Sequence, residues 1–322
     1  MLYKQFGVLL FSTSLLFSYT VIGAEERRHL KQRRYKMATF FNQATLTFGG
    51  NVVNSNVTEA ELLSGLTLTK NAITSTYGNG TSVTYIITLG NMGTTPYTNL
   101  TVTDDLGAYA IPGGTTTAVP LTYVDGSIQY YLNGVLQTAP TVTSTGELQI
   151  SGINVSANST ATFIYETVTN EFAPIADGST ITNTASVNGG AGIGVLTDSA
   201  TVNADAQPRL TIAKAVCPPV VTDNGQLTYT VIVQNLGNIP IVATDGVIIS
   251  DVFNPILSGI TVTLDGTTLT EGTGYTYNET TGEFATTDGT VSVPAATYTQ
   301  DPTTGAITTT PGVAVLTVTG TV

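Results

Sequence analysis

The 322-residue chain contains no tryptophan, one cysteine and one histidine, and these scarcities exclude several classes of function. The histidine, His29, lies near the amino end, so the body of the chain offers neither a Ser–His or Cys–His pair nor a histidine-based metal site. Cys217 has no partner for an internal disulfide, and we expect it to be a buried structural thiol rather than an intermolecular link. We therefore predict no cofactor, no metal, no small-molecule substrate and no enzymatic activity beyond self-modification.

Positive charge is scarce after residue 36. Seven of the ten basic residues precede Met37, which leaves Lys70, Arg209 and Lys214 in a chain whose formal net charge is −12. A body of this kind cannot neutralise a phosphate backbone, so the composition argues against nucleic-acid binding.

Residues 1–36 combine an apolar run, Phe6 to Ala24, with a basic segment, Arg27 to Lys36. Three interpretations remain open: a secretion leader followed by a processing site, a wrongly assigned start whose true initiator is Met37, and an uncleaved anchor. A basic run behind an apolar stretch disfavours the anchor. We expect an extracellular protein.

The remaining sequence has the pattern of short strands and tight turns. Glycine, threonine, valine and asparagine dominate, and no sustained 3.6-residue apolar period follows the leader. Runs of four to eight alternating residues are separated by turn signals such as Asp125-Gly126, Asn133-Gly134 and Asp265-Gly266. This pattern predicts an all-β protein built from antiparallel sandwiches.

An internal repeat divides the body in two. The segment Leu66 to Lys70 recurs as Leu210 to Lys214, a separation of 144 residues. Three further matches are Val83–Ile87 with Leu227–Val231, Asn91-Met92-Gly93 with Asn235-Leu236-Gly237, and Asp104 with Asp251 after a three-residue insertion. We predict a leader at 1–36, an amino-terminal strand with its connector at 37–65, a first sandwich at 66–205 and a second at 206–322.

This pattern of lysine, tyrosine, Asn-x-Gly and aspartate positions resembles the bacterial surface "conserved repeat domain", domain of unknown function eleven. The resemblance covers nearly everything from Phe40 to Val322. It implies tandem immunoglobulin-like sandwiches on a bacterial cell or spore surface, without enzymatic activity.

The strands of the two repeats do not match in number. The first repeat closes with Ile181 to Val187, whereas the second ends soon after Val313 to Val318, which matches Ala161 to Glu166. A copy of the closing strand stands instead at the amino end, where the residues facing the core would be Phe40, Asn42, Ala44, Leu46 and Phe48. The second sandwich is therefore expected to lack its last strand.

Donor-strand complementation would use both features, with residues 38–48 of one subunit completing the second sandwich of the next in a head-to-tail homopolymer. Two other interpretations remain open: the chain is a fragment of a longer tandem array, or the strand folds back onto its own chain. An alternative function is a surface adhesin or stalk that binds a host or matrix ligand.

Each repeat directs polar residues toward its core. Alternation places Lys70, Asp104 and Asn183 on apolar faces, and Lys214 and Asp251 recur in the second repeat. One interpretation is structural: an internal Lys–Asp salt bridge with asparagine hydrogen bonds, or a lysine whose ammonium reaches solvent at a strand end. The other is an isopeptide bond, by resemblance to collagen-adhesin-type and pilin-type surface domains.

What that second resemblance implies is specific. Lys70 would bond to Asn183 with Asp104 as the proton shuttle, and Asp105, which faces outward, is the second choice. In the second repeat Lys214 would bond to Asn42 of another subunit, assisted by Asp251.

Overall fold

The computed structural model describes residues 37–48, 50–63, 65–190 and 193–322, although the side chains of 37–41 and 59–63 lie outside that description. The apolar and basic segments of residues 1–36 also lie outside it, so their three interpretations remain predictions. Within these described ranges, no helix is long and apolar enough to cross a membrane. The prediction of an all-β chain is confirmed: helical structure in the same ranges amounts to one 3₁₀ turn, Ala243–Asp245.

The amino-terminal segment forms a long hairpin. Its strands are β1 Met37–Asn42, β2 Thr45–Phe48, β3 Asn51–Asn54 and β4 Thr58–Leu63. Strand β2 pairs antiparallel with β3, and β1 pairs antiparallel with β4. Gly50 at φ +82° allows the tight turn between β2 and β3. The part expected to be a connector is thus largely a second strand.

The first sandwich consists of two six-stranded sheets around one apolar core. The strands are β5 Leu66–Ala72, β6 Thr76–Tyr77, β7 Ser82–Asn91, β8 Tyr97–Asp104, β9 Tyr109–Ala110, β10 Thr117–Ala118, β11 Leu121–Tyr123, β12 Gln129–Leu132, β13 Val135–Gln137, β14 Thr141–Ser144, β15 Leu148–Val155, β16 Ser159–Thr169, β17 Thr180–Asn188 and β18 Val195–Ala204. One sheet has the order β13-β12-β16-β7-β5, with β11 also paired to β16, and the other has the order β14-β15-β8-β17-β18-β6.

The second sandwich has a separate core and fewer strands. The strands are β19 Leu210–Cys217, β20 Gln226–Asn235, β21 Ser250–Val252, β22 Ser258–Leu264, β23 Thr267–Thr268, β24 Tyr275–Tyr277, β25 Glu283–Thr286, β26 Thr297–Gln300, β27 Ile307–Thr310 and β28 Gly312–Thr321. A five-stranded sheet, β19-β20-β28-β22-β23, packs over a three-stranded sheet, β21-β25-β24, and β26 and β27 form an extra hairpin.

One sheet edge distinguishes the two sandwiches. In the first, β8 lies between β15 and β17, and β18 lies beyond β17. In the second, β21 takes the place of β8 and pairs with β25 on one side, but no strand within the described ranges pairs with its other side. We call this unpaired side of β21 the open edge. It lies where the β17–β18 hairpin lies in the first sandwich.

The sandwiches contact each other at one end of the first. The backbone N–H of Ile307 donates to the carbonyl of Glu171 at 2.8 Å, and the Asn238 amide donates to the carbonyl of Ile175 at 3.0 Å. Strand β7 runs from this end to Asn91, which pairs with Leu66. The hairpin of β1–β4 therefore joins the first sandwich at the end remote from the second.

Two expectations are corrected by the structure. Cys217 is exposed rather than buried, because it ends β19, a strand without a covering layer. The carboxyl-terminal match shifts by one residue: Tyr165 pairs with Tyr85, whereas Val318, not Thr317, pairs with Tyr229. Burial sets this register, because it aligns inward-facing positions with one another.

Candidate functional site

Lys70 and Asp104 form a buried ion pair in the first sandwich. Strand β5 carries Lys70, strand β8 ends at Asp104, and Lys70 Nζ contacts Asp104 Oδ2 with neither side chain exposed to solvent. The same Oδ2 accepts a hydrogen bond from the hydroxyl of Tyr165, and Oδ1 accepts one from the backbone N–H of Leu106 at 2.9 Å. Three donors thus compensate the aspartate for its loss of water.

Asn183 is fully buried on β17, the strand that pairs with β8. Neither its Nδ2 nor its Oδ1 makes a hydrogen bond to any residue in the described ranges. A buried amide without partners costs about 1–3 kcal/mol. The amide lies close enough to Tyr85 and Tyr165 to affect the pKa of both hydroxyls, but it does not have the geometry of a hydrogen bond to either.

Burial shapes the proton affinities of this cluster. Desolvation lowers the pKa of the Lys70 ammonium, although the charge of Asp104 opposes the shift. Desolvation also raises the pKa of Tyr85 and of Tyr165, and the negative Asp104 adds to both shifts. The neighbouring Asn183 side chain opposes the shifts on the two tyrosines. The site therefore favours a neutral amine more than water does.

The second sandwich repeats the pair in a more open form. Lys214 Nζ contacts Asp251 Oδ2, but 39% of the lysine side chain and 23% of the aspartate side chain are exposed. Lys214 Nζ lies 4.4 Å from the ring centroid of Tyr229, as Lys70 Nζ lies 4.9 Å from that of Tyr85. Val318 stands where Tyr165 stands in the first sandwich, so the second aspartate has no tyrosine donor at that position.

Strand β19 shows how much cover is missing. Leu210 and Ile212 are 41% and 66% exposed, whereas their counterparts Leu66 and Leu68 are 1% and 9% exposed. An open groove continues from this strand into the core and is lined by Ile212, Lys214, Val231, Ile249, Ser250, Asp251, Phe253, Phe284, Leu316 and Val318.

The structure brings some of the proposed residues together and leaves others apart. Lys70, Asp104 and Asn183 share one buried region, and Asp105 faces away and accepts the backbone N–H of Thr184 at 2.8 Å. Asn42 remains in the hairpin, which pairs with no strand of either sandwich within the described ranges. The donor-strand side chains of Ala44, Leu46 and Phe48 are exposed, and that of Phe40 lies outside the description.

The sequence did not indicate Tyr165. It reaches Asp104 from β16 in the opposite sheet, and the only available signal was its inward position in the alternating run. Within the described ranges, no group of three or more histidine, cysteine, aspartate or glutamate side chains could hold a metal ion.

Comparisons with known proteins leave the function open. No family model and no curated protein matches the chain. Among solved structures, the major pilin subunit of Bacillus cereus is 14% identical, with a TM-score of 0.32 and coverage of 85% of this chain and 73% of that one. The pilus backbone of Streptococcus pneumoniae is 12% identical (TM-score 0.31; coverage 76% and 56%), and the collagen-binding subdomain of an Enterococcus faecalis surface protein is 6% identical (TM-score 0.29; coverage 43% and 96%). Likenesses this distant carry no conclusion about this chain, and the conserved repeat family stays a prediction.

Proposed function

We propose that the chain is the structural subunit of an extracellular bacterial surface fibre, assembled head to tail by strand donation. The observation that carries this proposal is the open edge of β21 together with a copy of the missing strand at the amino end. The donated strand of one copy, residues 38–48, occupies the open edge of the next copy.

The energetics favour occupation of the edge. An unpaired edge leaves backbone donors and acceptors for another chain, and the adjoining groove exposes apolar side chains such as Ile212. A donated strand supplies hydrogen bonds and also covers the groove, at roughly 25 cal/mol per Å² of apolar surface removed from water. Donor and acceptor are different surfaces, so the contact repeats without closing and produces a filament.

The geometry opposes donation within one chain. In the first sandwich the base of the β17–β18 hairpin lies at the end facing the second sandwich, where the N–H of Asp205 donates to the carbonyl of Tyr77. If the β1–β4 hairpin takes the same place in the second sandwich, its base lies at the end of the second sandwich that is remote from the first. Six residue steps separate Ala60 from Leu66 and span at most about 20 Å. Within one chain this connection would have to pass both sandwiches, whose ten-residue strands are each about 30 Å long. It is too short to do so.

The proposal includes a covalent bond between the side chains of Lys70 and Asn183. The neutral amine of Lys70 attacks Cγ of Asn183, the new C–N bond replaces the bond from Cγ to Nδ2, and ammonia leaves. Asp104 takes the proton from the amine and delivers it to the departing nitrogen, so atoms and charges balance. The lowered pKa of Lys70 and the unpartnered amide of Asn183 support this chemistry.

At the subunit junction the corresponding bond would join Lys214 to Asn42 of the donated strand, with Asp251 as the shuttle. Intact mass spectrometry of protein that begins at Met37 should give a monomer lighter than its sequence mass by one ammonia. Fibres boiled in detergent should give a ladder of multimers, and Lys214→Arg should remove the ladder while leaving the ammonia loss of Lys70. An unmodified mass in the folded monomer would contradict the first bond, and strand donation could still stand.

Size-exclusion chromatography and electron microscopy of protein beginning at Met37 test the assembly itself. We expect concentration-dependent polymers that appear as unbranched fibres. A monomer at all concentrations would refute the fibre and would leave a surface adhesin or stalk as the better function, since that function does not need an open edge.

A further inference from the structure

The first sandwich shows that its closing element is a hairpin in which each strand has a separate task. Strand β17 adds to the sheet edge, with Ala185 opposite Asp104. Strand β18 instead covers β5, where the carboxylate of Asp198 accepts the backbone N–H of Lys70 at 2.7 Å. Removing β18 alone would expose β5 while leaving the sheet edge occupied.

The second sandwich lacks both kinds of cover. Besides the open edge, β19 exposes Leu210 and Ile212, the counterparts of residues that are buried in the first sandwich. A single donated strand beside β21 repeats the task of β17, but nothing in that arrangement repeats the task of β18. Filling the site therefore requires a second strand.

The amino-terminal segment provides that second strand in the right place along the chain. Asn54 lies 144 residues before Asp198, as Lys70 lies 144 before Lys214. The interval from Ala60 to Leu66 also equals that from Ala204 to Leu210. Strands β3 and β4 already pair with β2 and β1, so the segment is a preformed two-stranded unit.

We infer that the donated element is the whole hairpin of a second copy, residues 37–63, rather than a single strand. Its second strand covers β19. This inference rests on the proposed fibre. It makes the fibre a continuous row of sandwiches in which every second one is composed of two chains.

Two neighbouring valines provide a matched test. Val52 and Val53 are 63% and 61% exposed in the hairpin, so a charge at either position disturbs the free subunit equally. Val53 pairs with Leu46, which faces the predicted core, whereas Val52 pairs with Thr47 on the opposite face of the hairpin. Val53→Asp should raise the concentration needed for fibre formation roughly 100-fold, because it buries an unpaired carboxylate. Val52→Asp should assemble like the unaltered protein.

Sedimentation of protein beginning at Met37 measures both variants against the unaltered chain. Equal assembly of all three would overturn the hairpin inference and would spare strand donation, since residues 38–48 are intact in each. Loss of assembly in Val52→Asp alone would also overturn it. A monomeric unaltered protein would instead refute the proposed fibre.

Discussion

Protein that lacks residues 1–48 is expected to stay monomeric under conditions in which protein beginning at Met37 forms fibres. The deletion removes the strand that fills the groove, including Leu46 and Phe48, which are exposed in the free subunit. Burial of one such side chain contributes about 1.5–3 kcal/mol, so loss of several should raise the critical concentration at least about 1000-fold. Sedimentation and electron microscopy measure the effect.

A pair of substitutions separates loss of donation from loss of folding. Ala44→Asp places a carboxylate at the position of the fully buried Ala185, whereas Thr45→Asp places one at the outward position beside it. Only Ala44→Asp should prevent assembly, and both variants should keep the unfolding transition of the monomer. Fibres that persist in the deletion variant would refute strand donation.

Removal of Asp104 should destabilise the first sandwich far more than removal of Asp251 destabilises the second. In an Asn183→Ala background, where no bond to Lys70 forms, Asp104→Ala leaves the buried Lys70 ammonium without its counter-charge, at a cost of about 3–5 kcal/mol. Asp251→Ala removes a partly exposed pair, at a cost of about 0–1 kcal/mol. Chemical denaturation that resolves the two sandwiches measures both costs. Equal small losses would contradict the buried character of the first pair.

Lys70 also determines whether the stability of the first sandwich rises or falls with pH. In Asn183→Ala the proposed bond cannot form and Lys70 keeps its amine. Because the folded-state pKa of Lys70 is lowered, the unfolded chain then binds an extra proton at pH values between that lowered pKa and about 10.5. The contribution of Lys70 to stability therefore rises with pH through this interval. The charge of Asp104 raises the pKa of Lys70, so that pKa is lower still in Asp104→Ala. The penalty of this substitution should therefore shrink with rising pH below the interval, between the two folded-state pKa values, and stay constant within it.

The sequence predicted the features that local periodicity and self-similarity determine. Alternation indicated strands, and the 144-residue offset paired Lys70 with Lys214 and exposed the unequal number of strands. The two matching Asn-x-Gly segments also form the same local contact: the N–H of Gly93 donates to Asn91 Oδ1 at 3.0 Å, and that of Gly237 donates to Asn235 Oδ1 at 2.9 Å. These are short-range properties of the chain.

Features that depend on burial or contact by strands far away in the sequence were not predicted. The burial expected for Cys217 was wrong because a missing layer of strands exposes β19. The contact between Tyr165 and Asp104 crosses from one sheet to the other, which no spacing in the sequence reveals. The second strand of the hairpin was overlooked because Asn51 to Asn54 is too polar and too short to be recognised by alternation alone.

The central claim is that residues of another copy close the second sandwich, and a residue-resolved density map of the assembled fibre tests it most directly. The account predicts that the strand carrying Asn42 lies beside Ser250–Val252 of the neighbouring copy, with Asn42 at Lys214 and the strand of Asn54 over β19. A map in which the edge is closed by its own chain, by residues that follow Val322 in a longer protein, or by nothing would contradict the account.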